Sequence, residues 1–197
     1  MTFGPRRPAP PGAEREGRHP QDRRPQDRRP PRPVTEAYLQ RAALAYLERF
    51  ASSAENLRRV LRRKVETRCR LRGEDAEPFL ELVDPVVVRS VSSGLVDDRA
   101  YAEARVASFR RRGTSARGIK AKLSAKGVGR ETVEAALAGD DGDERRAAVA
   151  LARRRRLGPY RAGDRAAFRQ KDLAVLARAG FPFDMARGVI DGEVEDA

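Results

Sequence analysis

Leu123-Ser124-Ala125-Lys126-Gly127 and Leu176-Ala177-Arg178-Ala179-Gly180 are the two stretches that decide the fold. Each closes a run of good helix formers on a glycine. At matching distances beyond the glycine stand a small apolar residue, Val133 or Ala186, and then a large one, Leu137 or Ile190. Glycine takes the left-handed conformation that ends a helix and lets the chain fold back, so each block predicts a second helix, a sharp stop and a third helix. Leu61-Arg62-Arg63-Lys64 matches the start of the block a third time but lacks the glycine.

Working outward, the chain reads as all-α: three tandem three-helix repeats over 35–93, 94–139 and 140–197, preceded by a tail over 1–34. Units this small bury little alone, and stacked neighbours supply the rest of the core, so the array should be elongated and curved. The competing reading is one irregular helical bundle with accidental similarity.

In the first unit, Leu39, Ala43, Tyr46, Leu47 and Phe50 keep helical spacing on one face. Ser52 and Glu55 have capping-box spacing before a helix carrying Leu57, Val60, Leu61 and Val65. Residues 66–77 read as a loop. Asp84-Pro85 reads as a cap followed by proline at the first helical position, opening a helix through Val86, Val87 and Val88 to about Ser93. The second unit opens at Asp97-Asp98 and runs to about Arg112, and Gly113 ends that helix. Thr114 or Ser115 caps the next, which carries Ile119 and Leu123. The third opens near Asp143, breaks at Gly158-Pro159 after about Leu157, restarts at Asp164 and again at Pro182.

The tail holds nine of the 13 prolines, and its nine arginines against four acids give it a charge of +5. Pro-Gln-Asp-Arg-Arg occurs there twice in succession, at 20–24 and 25–29. With few donors and little apolar surface, this segment is expected to be disordered.

The 197 residues carry a net charge of +13 and a pI near 10.9, which implies attraction to polyanions. The single cysteine, Cys69, excludes an internal disulfide and fits a reducing, cytoplasmic setting. No apolar run approaches a membrane span, so no membrane partner is expected.

The residues argue against an enzyme. The only histidine, His19, lies in the tail, and one cysteine cannot build a thiolate zinc site. No phosphate-cradling glycine loop is present, and no cofactor or metal is implied. Cys69, between Arg68 and Arg70, reads as a surface thiol whose pKa those charges could lower. Asp97-Asp98 and Asp140-Asp141 read as helix caps rather than metal ligands.

The functional signal is basic. Between Glu103 and Glu131 there is no acid and there are nine basic residues. From this window Arg105, Arg110, Arg111, Arg112, Arg117, Lys120, Lys122 and Lys126 are candidates for contact with a partner or with DNA. Arg153, Arg154, Arg155 and Arg156 extend the set into the third unit, and Arg58, Arg59, Arg62, Arg63 and Lys64 form a similar run in the first. In register, these patches would form a stripe suited to phosphates or to an acidic protein groove. Aromatics for base stacking are sparse, and nothing marks a base-reading helix.

Gly94-Leu95-Val96-Asp97-Asp98-Arg99-Ala100-Tyr101-Ala102, continuing through Arg112-Gly113 to Gly127-Val128, resembles the signature of the RecX family. Ala45 to Ser53 with Leu57 and Leu61 is similar to that family's opening, and Arg178-Ala179-Gly180-Phe181 to its close. The likeness spans about residues 36–191. Arg105 stands where the family commonly has an aromatic, and Ser115 where a second glycine is common. The resemblance implies a cytoplasmic regulator that binds in the groove of the RecA–DNA filament, and the chain is expected to be a monomer. Such a regulator inhibits the filament's ATPase and strand exchange and limits its growth. The charge pattern, read beside that resemblance, makes Arg110, Arg111, Arg112, Lys120, Lys122 and Lys126 the expected central contact, with Tyr101, Leu123 and Leu137 in the core. The rival readings are a basic DNA-binding accessory protein with no recombinase partner, and a helical scaffold with incidental charge.

Overall fold

The computed structural model describes residues 31–140 and 142–192. The tail reading falls outside them up to residue 30, as do Asp141 and residues 193–197. The described residues are all-helical, with no strand. The first unit comprises α1 (Glu36–Leu47), α2 (Ala54–Arg72), the one-turn α3 (Glu77–Leu80) and α4 (Val83–Ser92). The second has α5 (Asp98–Arg111), α6 (Ala116–Ala125) and α7 (Arg130–Ala138). The third has α8 (Glu144–Arg155), a 3-10 turn at Gly158–Tyr160, α9 (Arg165–Arg178) and α10 (Phe183–Asp191).

Each unit has its own apolar cluster. Leu39, Leu57, Leu61, Val65 and Val86 centre the first, Ile119, Leu123 and Val133 the second, and Leu151, Leu176 and Val189 the third. Tyr101 and Leu123 are buried and Leu137 is partly buried, all packed in the second cluster.

Several local expectations need correction. The supposed loop over 66–77 is helical up to Arg72, because Leu57, Leu61, Val65 and Cys69 form one unbroken buried stripe at helical spacing. Cys69 is therefore a core residue, 1% exposed, and not a surface thiol. Burial pushes its pKa up, and Glu74 and Asp75 add to the rise, outweighing Arg72. The cap of α2 is Ser53, whose hydroxyl accepts from Asn56 N–H, rather than Ser52. Glu55 does not close a capping box and instead pairs with Arg58 and Arg59. Helix α4 begins at Val83, which places Asp84 and Pro85 inside its first turn, where a missing N–H is harmless. Phe50 lies beyond the end of α1 and is 49% exposed.

The units are joined by a device used twice. At the first joint, the Ser53 hydroxyl that caps α2 also donates to the carbonyl of Lys126, the last residue before the glycine that follows α6. At the second, the Ser115 hydroxyl that caps α6 donates to Ala179 O at 2.6 Å, beyond the end of α9. The first backbone N–H of each capped helix receives a carboxylate from the next unit. Ala54 N donates to Asp98 at 2.8 Å, and Ala116 N donates to Glu144 at 3.0 Å. The negative end of one second helix thus meets the positive end of the preceding one, so α9, α6 and α2 follow head to tail with dipoles aligned.

This division of labour refines the reading of the acidic pairs. Asp97 caps its own helix α5, whereas Asp98 serves the unit before it; Asp143 caps α8, whereas Glu144 serves α6. Asp140 caps nothing and pairs with Arg110 at 2.8 Å.

Gly113 lets α8 close on the second unit. Its φ is +73°, and a Cβ there would lie 2.5 Å from Leu151 N and 2.8 Å from Ala147 O, both backbone atoms of α8. No side chain fits that approach.

Candidate polyanion and partner interface

The twelve candidate cations part company once folded. Arg110 projects from α5 into the second joint, where it binds Asp140 and Glu144 and its side chain is only 12% exposed. Burial opposes its charge, but the bonds to Glu144 and Asp140 outweigh that and raise its pKa. A guanidinium held by two internal carboxylates is an architectural tie, so Arg110 leaves the contact set. Glu144 accepts from both Arg110 and Ala116 N and so links three elements at this joint.

Arg105 lies half-buried with its guanidinium 5.2 Å from the Tyr101 ring, a stacking that replaces the aromatic pair expected at this position. Arg111, Arg112 and Arg117 are exposed. The two lysines of α6 and Lys126 at its C-cap point to different neighbours. Lys126 donates to Asn56 at 3.4 Å across the first joint. Lys120 is near enough to Glu134 of α7 to help lower its pKa, after the larger effects of Arg130. Lys122 faces the third unit, with its amine 5.7 Å from the Phe109 ring.

In the third unit, Arg153 lies 5.5 Å from the Tyr160 ring. Arg156 ends α8 in a left-handed conformation, φ 54°, a place usually taken by glycine. Arg154 and Arg155 turn back toward the second unit. There they share with Lys122 an open cleft of about 480 Å³ between α6, α8 and α9. Arg178 of α9 completes this basic lining, while Leu151 and Val175 form its apolar side and Gly113, Thr114 and Gly118 its far wall. No carboxylate lines it.

Arg178 was missed by the charge-run reading, because it stands apart from any basic run, with Lys171 as its nearest basic neighbour on α9. The repeat alignment held the signal: a residue just before the helix-ending glycine sits at a joint, facing the preceding unit.

A cleft of similar volume, about 460 Å³, lies near the first joint between the end of α1 and α5, lined by Leu47, Phe50, Leu95, Tyr101 and Ala104 together with Asp97 and Arg105. Counting from each unit's acidic pair, Arg154 and Arg155 take the places of Ser108 and Phe109. Counting from each cap serine, Lys122 takes the place of Val60.

Among the described residues there is no cluster of histidine, cysteine and carboxylates fit to hold a metal, and no helix long and apolar enough to cross a membrane.

Fold and surface together define a class: a tandem three-helix repeat protein with a cationic cleft between its second and third units. Residues 97–137 match the family model described as RecX, second three-helix domain. The chain is 43% identical over 165 residues to the regulatory protein RecX of Myxococcus xanthus, covering 82% of this chain and 88% of that one. It is 35% identical over 164 residues to the regulatory protein RecX of Agrobacterium fabrum, covering 82% and 86%. The crystal structure of RecX from Lactobacillus salivarius shares the fold, with a TM-score of 0.55 at 21% identity over 79% of this chain and 94% of that one. The chain belongs to the RecX family of regulatory proteins.

Proposed function

We propose that this chain is a non-enzymatic regulator that docks on the RecA–DNA filament, inhibiting its ATPase and strand exchange and limiting filament growth. The observation that supports this reading is the gathering of unpaired cations from two units at one joint, on a rigid row of helices. A row of small units reaches successive protomers of a helical polymer, and several weak patches then add through avidity. The docking set is Lys122, Arg154 and Arg155, with Arg111, Arg112, Arg117 and Lys120 on the surrounding surface. Arg105, Lys126, Arg153 and Arg156 flank it.

The test is recombinase ATP hydrolysis on single-stranded DNA with the purified full chain added below stoichiometry. A reduced rate is expected, and the charge-reversed pair Lys122→Glu and Arg154→Glu should restore it. An unchanged rate with wild-type protein refutes the reading. It would favour a basic DNA-binding accessory protein, for which affinity for bare DNA should fall by several decades as salt rises.

A further inference from the structure

The geometry points to a phosphate-binding site in the cleft between the second and third units. There Lys122, Arg154, Arg155 and Arg178 hold vicinal phosphate oxyanions and so clamp α6 against α8 and α9. This names the ligand chemistry at the centre of the proposed docking surface and rests on that reading only for the polymer that supplies it.

Four cations from three helices converge on a single cleft of about 480 Å³ with no acidic side chain in its lining. Elsewhere in this molecule sheltered arginines are neutralised from within, as Arg110 is at the second joint by Asp140 and Glu144 and Arg161 is inside the third unit by Asp172. Arg154, Arg155 and Lys122 form no ion pair among the described residues. Four like charges held together repel one another, and that repulsion is relieved when an anion enters. The architecture does not require charge at these places, since the residues that correspond to Lys122, Arg154, Arg155 and Arg178 at the first joint are Val60, Ser108, Phe109 and Ala125.

Phosphate suits the slot better than an isolated carboxylate. Guanidinium groups bind tetrahedral oxyanions through paired N–H donors, and several phosphate charges can be matched at once. The Nε–H of Arg178 donates to Ala174 O at 3.1 Å, which fixes the side chain and leaves its terminal nitrogens for a ligand. Thr114 adds a hydroxyl, and Gly118 leaves room on α6. Because the lining spans two units, an occupant contacts both, and its binding energy adds to the stability of the joint.

Two sources share this chemistry, a phosphodiester strand and a soluble polyphosphate. The experiment titrates the full chain with sodium tripolyphosphate, with an abasic single-stranded oligonucleotide and with poly-glutamate, following the unfolding midpoint and the heat of binding by titration calorimetry at fixed ionic strength. Tripolyphosphate and the oligonucleotide should both raise the midpoint and compete with each other. Arg154→Gln and Arg178→Gln should each weaken binding about tenfold, the loss expected for one charge-assisted hydrogen bond. Arg41→Gln, on the exposed surface of α1, should bind as wild type. Each variant is compared with its own unliganded midpoint, so a general loss of stability does not imitate a loss of binding.

A response to the oligonucleotide alone assigns the site to a nucleic-acid backbone; a response to tripolyphosphate alone assigns it to a soluble polyphosphate. Equal effects from sulfate at the same ionic strength, equal displacement by poly-glutamate, or wild-type binding by both cleft variants would overturn the proposal. Measuring recombinase ATPase with the same variants separates the two ideas. Inhibition that survives while phosphate binding is absent removes the cleft proposal alone, and phosphate binding by a chain inert toward recombinase removes the docking reading alone.

Discussion

Replacing Gly113 with alanine tests how firmly the second joint is closed, and Gly94 supplies the internal control. Both glycines have nearly the same backbone, φ +73° and φ +74°. A Cβ at Gly94 meets nothing within 4 Å, whereas one at Gly113 meets α8 backbone at 2.5, 2.8 and 2.9 Å. Gly94→Ala therefore reports only the left-handed conformation, about 1 kcal/mol. Gly113→Ala carries that cost plus the displacement of α8, because backbone atoms cannot rotate away as a side chain would. Overpacking of this kind costs about 1–3 kcal/mol. The expected totals are about 1 kcal/mol for Gly94→Ala and about 2–4 kcal/mol for Gly113→Ala. Urea unfolding followed by circular dichroism gives both, with equal m values showing that the unfolded surface is unchanged. If the two variants lose the same stability, α8 is not held against Gly113 and the close approach of the two units is wrong.

Ser115→Ala removes a hydroxyl that both caps α6 and bonds Ala179 O, and should cost about 1–2 kcal/mol in the same assay, with Ser53→Ala showing a similar loss at the first joint. The Cys69 thiol should resist a disulfide reagent in the native chain and react fully in denaturant; rapid native labelling would contradict a buried, helical Cys69. Asp172 is buried, and burial favours its neutral form, but Arg161 and the Gly158 N–H hold its pKa below the ordinary 3.8. Its stabilisation is complete above that ordinary value and is lost as pH falls through the lowered one. Wild type should therefore lose stability below about pH 4, and Asp172→Asn, already destabilised at pH 7, should lose less over the same range.

The three-unit plan was legible because it rests on local rules. Glycine ends helices, serine and aspartate start them, and apolar residues recur with the helical period. Gly127 and Gly180 marked corresponding points in two units before any contact was known. What failed was whatever depends on a partner distant in sequence. Residues 66–72 looked like a loop because Arg68, Arg70 and Arg72 mask a stripe whose last member, Cys69, is apolar only by virtue of burial. Arg110 sits in a run with Arg111 and Arg112, and nothing local distinguishes it; its fate is set by Asp140 and Glu144 on the far side of a joint. Likewise Asp97 and Asp98 are adjacent in sequence and serve different units. The basic window identified the region of the site, but the cleft within it draws on four separate segments, one of them around Arg178.

The joints also set the third unit apart from the first two. A serine hydroxyl has both a proton to donate and lone pairs to accept with, so Ser53 and Ser115 can cap their own helices while binding the carbonyl of the next unit. The third unit has Asp164 at this position, which accepts from Ala167 N–H at 3.1 Å and is exposed. An ionised carboxylate has no proton to give, and it would repel the carbonyl end of any further helix brought up to it. A single change of cap residue thus allows α6 and α2 to be joined end to end and leaves the N-terminus of α9 unsuited to another unit. Asp164→Ser would remove that obstacle without supplying the other half of the joint. The carboxylate that Asp98 and Glu144 provide must come from a following unit.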